Sequence, residues 1–200
     1  PYYQNEKVQT IGSEEPQLVI VGAFPSSFEV KQGRFPNKSG MYLVSKLIHL
    51  RRQHIPENQR PGVAFRYAVM CSPFTSDGEF MKPSADEIYR CSVELKDFLQ
   101  RTQPKVVVLL GTDAFKSLGI KSPVKSVRGS IFDQTYGGQN VKILTTYNPY
   151  QVKENPGLYE TFKRDINKAM DMVTDQLDDH SFNIEVPRKY EDVVGALNRS

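Results

Sequence analysis

Leu18 to Pro25 reads LVIVGAFP. Leu18, Val19, Ile20 and Val21 run without a polar break, and Gly22 and Pro25 stop them. A half-exposed strand would alternate. An unbroken apolar run predicts a strand covered on both faces, as in the interior of a parallel sheet. The next stretch, SSFEVKQGRFPNKSG, is polar and basic. It predicts a loop at the carboxyl end of that strand, where open parallel sheets place their ligands.

Working outward, KVVVLLG from Lys105 to Gly111 is a second strand of the same kind. Ile11-Gly12 reads as a short edge strand, and AFRYAVMC (Ala64 to Cys71) as a further strand. From Gly40 to His54, the positions Met41, Leu43, Val44, Leu47, Ile48 and Leu50 have helical spacing. Ser84-Ala85-Asp86-Glu87 is a capping-box pattern that opens a helix to about Arg101. Gly111-Thr112-Asp113 turns into a short helix closing at Gly119, with Asp113 as the expected N-cap. Ser126 to Phe132 and Val141 to Tyr147 read as strands joined at Gly137-Gly138. Asn155-Pro156 precedes an amphipathic helix from about Gly157 to Leu177. Strands alternating with helices predict a three-layer α/β/α sandwich around a central, mostly parallel, four-stranded sheet.

Two hundred residues suit one domain with a real core, and 38% hydrophobic content excludes a disordered chain. No apolar run approaches the roughly 20 residues of a membrane span. PYYQNEKVQT carries no apolar signal-peptide stretch. Two cysteines make a disulfide framework unexpected and point to an intracellular, cytoplasmic setting. The net charge of +3 is mild. Lys31, Arg34, Lys38, Lys46, Arg51, Arg52, Arg60 and Arg66 nevertheless make the segment after the first strand basic. Two readings stay open: a phosphate-facing patch, or a solvated helix face at Arg51 and Arg52.

The order of motifs resembles the uracil-DNA glycosylase superfamily, and within it the iron–sulfur branch. The similarity spans roughly Val8 to Met170. It is carried by LVIVGAFP, KQGRFPNKSG, CSPF…KPSADEIYRC, PKVVVLLGTDAFKSLG, the VRG of Val127–Gly129, and TTYNPYQV followed by NPGLYETFKRDI. The resemblance implies a glycosylase-like domain over 1–177. Residues 178–200 would then be a C-terminal extension or the start of a further domain. It also implies a nucleoid-associated role in base excision repair. The protein would grip single- or double-stranded DNA by its phosphates, flip a deaminated or modified base into a pocket, and hydrolyse its N-glycosidic bond. Flipping is required because the target atoms are unreachable inside a stacked duplex. The oxocarbenium-like sugar needs nearby negative charge or a placed water, and the departing pyrimidine needs a donor.

Carried over position by position, the resemblance places the base pocket at Gly22, Ala23, Phe24, Pro25, Phe35 and Tyr67. Phe35 is the expected stacking aromatic and Phe24 its rival, with core packing an equal reading for each. The branch has a glutamate where Ala23 stands and a pocket asparagine where Tyr67 stands. Its leaving-group histidine aligns with Asn148, and asparagine still donates a neutral hydrogen bond. Glu29 is the carboxylate nearest in sequence, so Glu29 and Asn148 are the expected catalytic pair. His49, His54 and His180 lie on a predicted helix and in the tail, away from these motifs. Ser26, Ser27, Lys31, Arg34, Arg128, Gln151 and Lys153 are the expected DNA contacts. Cys71 and Cys91 align with two of the branch's four cluster ligands. A 4Fe-4S cluster needs four, so it would require an upstream CxxC in a longer form of the chain. The alternative function is a catalytically inactive, glycosylase-like module that binds DNA or a protein partner.

Overall fold

The computed structural model describes residues 7–32, 39–71 and 79–174. Strand β2 (Leu18–Gly22) lies inside the sheet, and every one of its residues is buried. On one side β3 (Val63–Tyr67) pairs with it in parallel, Leu18 opposite Val63 and Gly22 opposite Tyr67. On the other side lies β4 (Val106–Leu110), also parallel and wholly buried. Next comes β6 (Gln139–Thr146), parallel to β4. The edges are antiparallel: β1 (Ile11–Gly12) on β3 and β5 (Ile131–Tyr136) on β6.

Among the described residues the sheet therefore has six strands, in the order β1-β3-β2-β4-β6-β5. The four-strand expectation is corrected by an antiparallel strand at each margin. β5 overlaps the strand expected over Ser126 to Phe132 but lies further along the chain; its side chains alternate between exposed and half-buried, so no long apolar run marks its bounds. The chain steps from β2 to β3 on one side and then crosses to β4 on the other. The topological switch therefore falls between the carboxyl ends of β2 and β4.

Alternate side chains of the strands enter two separate cores. Leu18, Ile20, Val108 and Leu144 meet α2 (Gly40–Arg52) and α7 (Tyr159–Val173) on one face. Val19, Val21, Val107 and Ile143 meet α3 (Ala85–Thr102) and α4 (Thr112–Ser117) on the other. Each such side chain contributes about 1.5–3 kcal/mol when fully buried, so a polar residue on either face of β2 would be costly. The capping box forms as expected: Ser84 Oγ accepts from Glu87 N, and Glu87 Oε2 accepts from Ser84 N.

Several local expectations change. Val124–Val127 is a helical turn, α5, and the strand begins only at Ile131, because Arg128-Gly129 turn the chain and Gly129 adopts φ 74°. The strand expected over 64–71 ends its ladder at Tyr67, although Ala68 N and Val69 N still donate to Gly22 O and Ala23 O. Asp113 does not cap α4. Gly111 holds that place, and Asp113 is paired with Lys82 and Lys116. A turn of 3-10 helix, Pro156–Leu158, precedes α7. Two helices had no periodic signal because each has only six residues: α1 (Ser27–Gln32) and α6 (Pro149–Glu154). No helix among the described residues is long and apolar enough to cross a membrane. The expected extension over 178–200 lies outside the described residues.

Candidate functional site

Gly22 ends β2 where space is tight. A Cβ there would fall 2.6 Å from Met41 Cε and 2.7 Å from Tyr67 Cε1. The bare backbone lets the Tyr67 ring lie against the strand end. Gly111 does the same at the end of β4. Its φ is 84°, and a Cβ would lie 2.8 Å from Asn148 Cβ. The glycines at the two ends of the switch thus admit one large side chain each, Tyr67 from β3 and Asn148 from the end of β6.

Asn148 caps α6. Its Oδ1 accepts from Tyr150 N at 2.9 Å, while Gln151 Oε1 accepts from Asn148 N at 3.3 Å. The cap identifies the oxygen end of the amide, because a backbone N–H needs an acceptor. The donor end, Nδ2, is then the end available to a ligand.

Glu29 sits on α1 and is 1% exposed. Tyr67 Oη donates to its Oε1 at 2.7 Å. Ser26 N and Ser26 Oγ each donate to Oε2 at 2.8 Å, and Tyr150 Oη does so at 3.5 Å. A buried carboxylate needs such donors to offset its lost hydration. Burial, and then the Glu29 charge, push the Tyr67 phenol far above its ordinary value. The same two causes, in the same order, raise Tyr150. Both therefore stay protonated donors.

Gly22, Ala23, Phe24, Tyr67, Asn148 and Tyr150 surround one small cleft of about 20 Å³, room for roughly a single water. Glu29 lies one hydrogen bond behind it, beyond the two tyrosines. Of the expected pocket residues, the structure brings together Gly22, Ala23, Phe24 and Tyr67 with Asn148. Phe24 also stacks toward Phe80, their centroids 6.2 Å apart. Pro25 is buried beside Ser26. Phe35 and Arg34 lie outside the described residues.

The expected DNA contacts separate into two groups. Ser26 and Ser27 stand at the start of α1, Lys31 is exposed at its end, and Gln151 and Lys153 are exposed on α6. Ser26 adjoins the cleft through its bonds to Glu29, and Gln151 through its bond to Asn148. Arg128 is instead committed to Asp165: its Nη1 donates to Oδ1 at 2.8 Å, and Thr146 Oγ1 donates to Oδ2 at 2.6 Å. The basic segment also breaks up. Arg66 is 5% exposed, lies 4.5 Å from the centroid of the Phe98 ring, and is pulled down to about 10 by burial. Arg51 is paired with Asp171 at 2.6 Å.

Cys71 and Cys91 line a different cavity, of about 570 Å³, with Lys7, Glu87 and Arg90. Both are free thiols whose pKa burial raises; Lys7 partly offsets this at Cys71, and the Cys71 thiol adds to it at Cys91. Val8 N donates to Met70 O, so the amino-terminal segment runs beside Cys71. Among the described residues no group of three or more metal-ligating side chains forms.

The sequence profile of the Uracil DNA glycosylase superfamily matches residues 9–171. The chain belongs to that superfamily. It is 26% identical to the type-4 uracil-DNA glycosylase of Sulfurisphaera tokodaii, over 99% of this chain and 84% of that protein. Identity to the type-4 uracil-DNA glycosylase of Archaeoglobus fulgidus is 27%, over 80% and 79%. The type-5 uracil-DNA glycosylase of Pyrobaculum aerophilum is 21% identical, over 78% and 70%. The matched span of this superfamily member runs from just before β1 to near the end of α7, and so contains the whole cleft.

Sequence reasoning missed Tyr150 and Gly111. Tyr150 was findable as the second residue after Asn148 in the NPY motif. Gly111 was read only as a turn, and its close approach to Asn148 has no local signal.

Proposed function

We propose that this protein is a DNA glycosylase that takes an everted pyrimidine at the carboxyl edge of the sheet and hydrolyses its N-glycosidic bond. The observation that carries the reading is the meeting of Asn148 and the Tyr67–Glu29–Tyr150 cluster around one cleft at the switch point. Asn148 Nδ2 donates to the pyrimidine carbonyl and steadies the negative charge of the departing base. Glu29 supplies a fixed negative charge behind the cleft while the sugar becomes oxocarbenium-like, and it positions both tyrosines. Ser26, Ser27, Lys31, Gln151 and Lys153 hold the flanking phosphates. Because the cleft has room for about one water, entry of a base requires the Tyr67 or Tyr150 ring to turn aside.

Cys71 and Cys91 supply two thiols to one cavity, and a 4Fe-4S cluster needs four. The pair fits half of such a set, and the remainder would come from cysteines upstream in a longer form of the chain. A cluster there would tie the amino-terminal segment to α3 and would take no part in hydrolysis. Iron content and visible absorbance of the full-length protein test this.

A binding module without chemistry is the second reading. Ala23 at the usual glutamate position and the filled cleft favour it. One assay separates the two. Purified protein is incubated with single- and double-stranded oligonucleotides carrying uracil, hydroxymethyluracil or hypoxanthine, then treated with alkali. The glycosylase reading expects strand breaks that fall roughly 10²–10³-fold in Asn148→Ala, the usual cost of removing one transition-state donor. Salt-sensitive binding without any cleavage would establish the module instead.

A further inference from the structure

Next to the cleft, and sharing Gly40, Pro149 and Tyr150 with it, lies a groove of about 510 Å³. It runs between α2, α6 and the start of α7. Tyr42, Tyr150 and Tyr159 line it together with Lys46 and Lys153, and no carboxylate is among its described lining residues. Tyr42 is 43% exposed and Tyr150 40%. Its volume falls within the roughly 300–1,000 Å³ typical of sites for drug-sized ligands, which a nucleotide matches.

The chemistry of this lining is specific. Aromatic rings left in water beside cations, with no acid among the described lining residues, suit a ligand that has both a flat base and a phosphate. A ring can stack on a base only if that base is not already stacked in a duplex, so such grooves select single strands. The groove is also placed to follow the cleft. A Cβ on Gly40 would lie 3.1 Å from Pro149 Cβ and 3.3 Å from Tyr150 Cε2, so α2 and α6 nearly touch at the junction. The Tyr150 ring forms the partition there, and its hydroxyl reaches back to Glu29 at 3.5 Å.

We propose that this groove binds the nucleotide adjacent to the everted one, as part of a single-stranded DNA segment. Its base stacks on Tyr42, and Lys46 and Lys153 hold the phosphates on either side. The placement rests on the glycosylase reading of the cleft; the preference for single strands rests on the groove. The enzyme then favours single-stranded or frayed DNA over intact duplex.

The test uses fluorescence anisotropy with a uracil-free, labelled single strand and the matching duplex, over a range of salt. Wild-type protein is expected to bind the single strand more tightly. Tyr42→Ala is expected to weaken single-strand binding about tenfold, with little change for duplex, and Tyr42→Phe to restore it, since the ring does the stacking. Lys46→Gln is expected to lower the slope of log K against log salt by about 0.7, one phosphate's worth on a single strand. Both side chains are exposed, and matching circular dichroism confirms that the variants fold. Single-strand affinity unmoved by these variants overturns the proposal, as does an equal loss for both DNA forms. Self-association that vanishes in Tyr42→Ala, with unchanged DNA affinity, overturns it in favour of a contact between copies. Uracil release from the same proteins separates this from the glycosylase reading. Release retained while the variants bind normally ends the groove alone. Tyr42 and Lys46 effects without any release sustain the groove as a single-strand site and end the glycosylase reading.

Discussion

Glu29 and Asp165 are both buried carboxylates, 1% and 3% exposed, and they are held in opposite ways. Asp165 faces a cation, Arg128, and accepts a second bond from Thr146. It locks the turn after α5 onto α7. Glu29 is surrounded among the described residues by neutral donors only, two tyrosines and Ser26. An apolar core would be cheaper than a buried charge without a counter-charge. Such an arrangement beside a cleft points to use of the charge rather than to stability.

The contrast is open to direct attack. Arg128→Ala leaves Asp165 buried and unpaired, so urea denaturation is expected to show a loss of about 3–5 kcal/mol. A loss below 1 kcal/mol would remove Asp165 from the structural class.

Glu29→Gln keeps the shape and deletes the charge. Stability is expected to change by about 1 kcal/mol or less, whereas kcat for base release falls roughly 10²–10³-fold with KM little altered. Large destabilisation with normal kcat would place Glu29 beside Asp165 as a purely structural group.

Tyr67→Phe leaves Glu29 Oε1 short of a donor and is expected to cost about 1–3 kcal/mol at neutral pH. Tyr67 also sets an alkaline limit. Its folded pKa is raised above the ordinary value of 10.0, so the folded state holds a proton that the unfolded state releases. Its stabilisation is complete below about pH 10 and declines above it, by about 1.4 kcal/mol per pH unit. Denaturation titrations of Tyr67→Phe should fall less steeply above pH 10, by one proton; an unchanged slope would mean that other tyrosines carry it.

Tyr150→Phe removes the long 3.5 Å bond to Glu29 together with the hydroxyl's contacts to Ser26 and the Gly40 backbone and is expected to cost about 1 kcal/mol. A cost equal to that of Tyr67→Phe would show that the two tyrosines share the charge evenly.

Local pattern reached far into this chain. The unbroken apolar runs of β2 and β4 announced strands covered on both faces, since no half-solvated strand tolerates such a run. Ser84 and Glu87 marked a helix start because the two capping bonds span only three residues. The apolar stripe of α7 was visible for the same reason: its period lies within one helix. The bounds of β5, the six-residue helices α1 and α6 and the allocation of the arginines were not visible, because none has a local period. Arg66, Arg51 and Arg128 read alike as basic residues. One is buried over a ring and two are paired with acids 120 and 37 residues away.

The motif resemblance named Gly22, Ala23, Phe24, Tyr67, Glu29 and Asn148, but the bonds among the cleft's residues lie on the far side of that boundary. Glu29 meets Tyr67 across 38 residues and Tyr150 across 121, and Asn148 sits in the space left by Gly111. Periodicity and caps act within a few residues, so they set which segments become strands and helices. Which polar groups share a buried site depends on how those segments cross at the switch between β2 and β4, and that follows from packing across the whole chain.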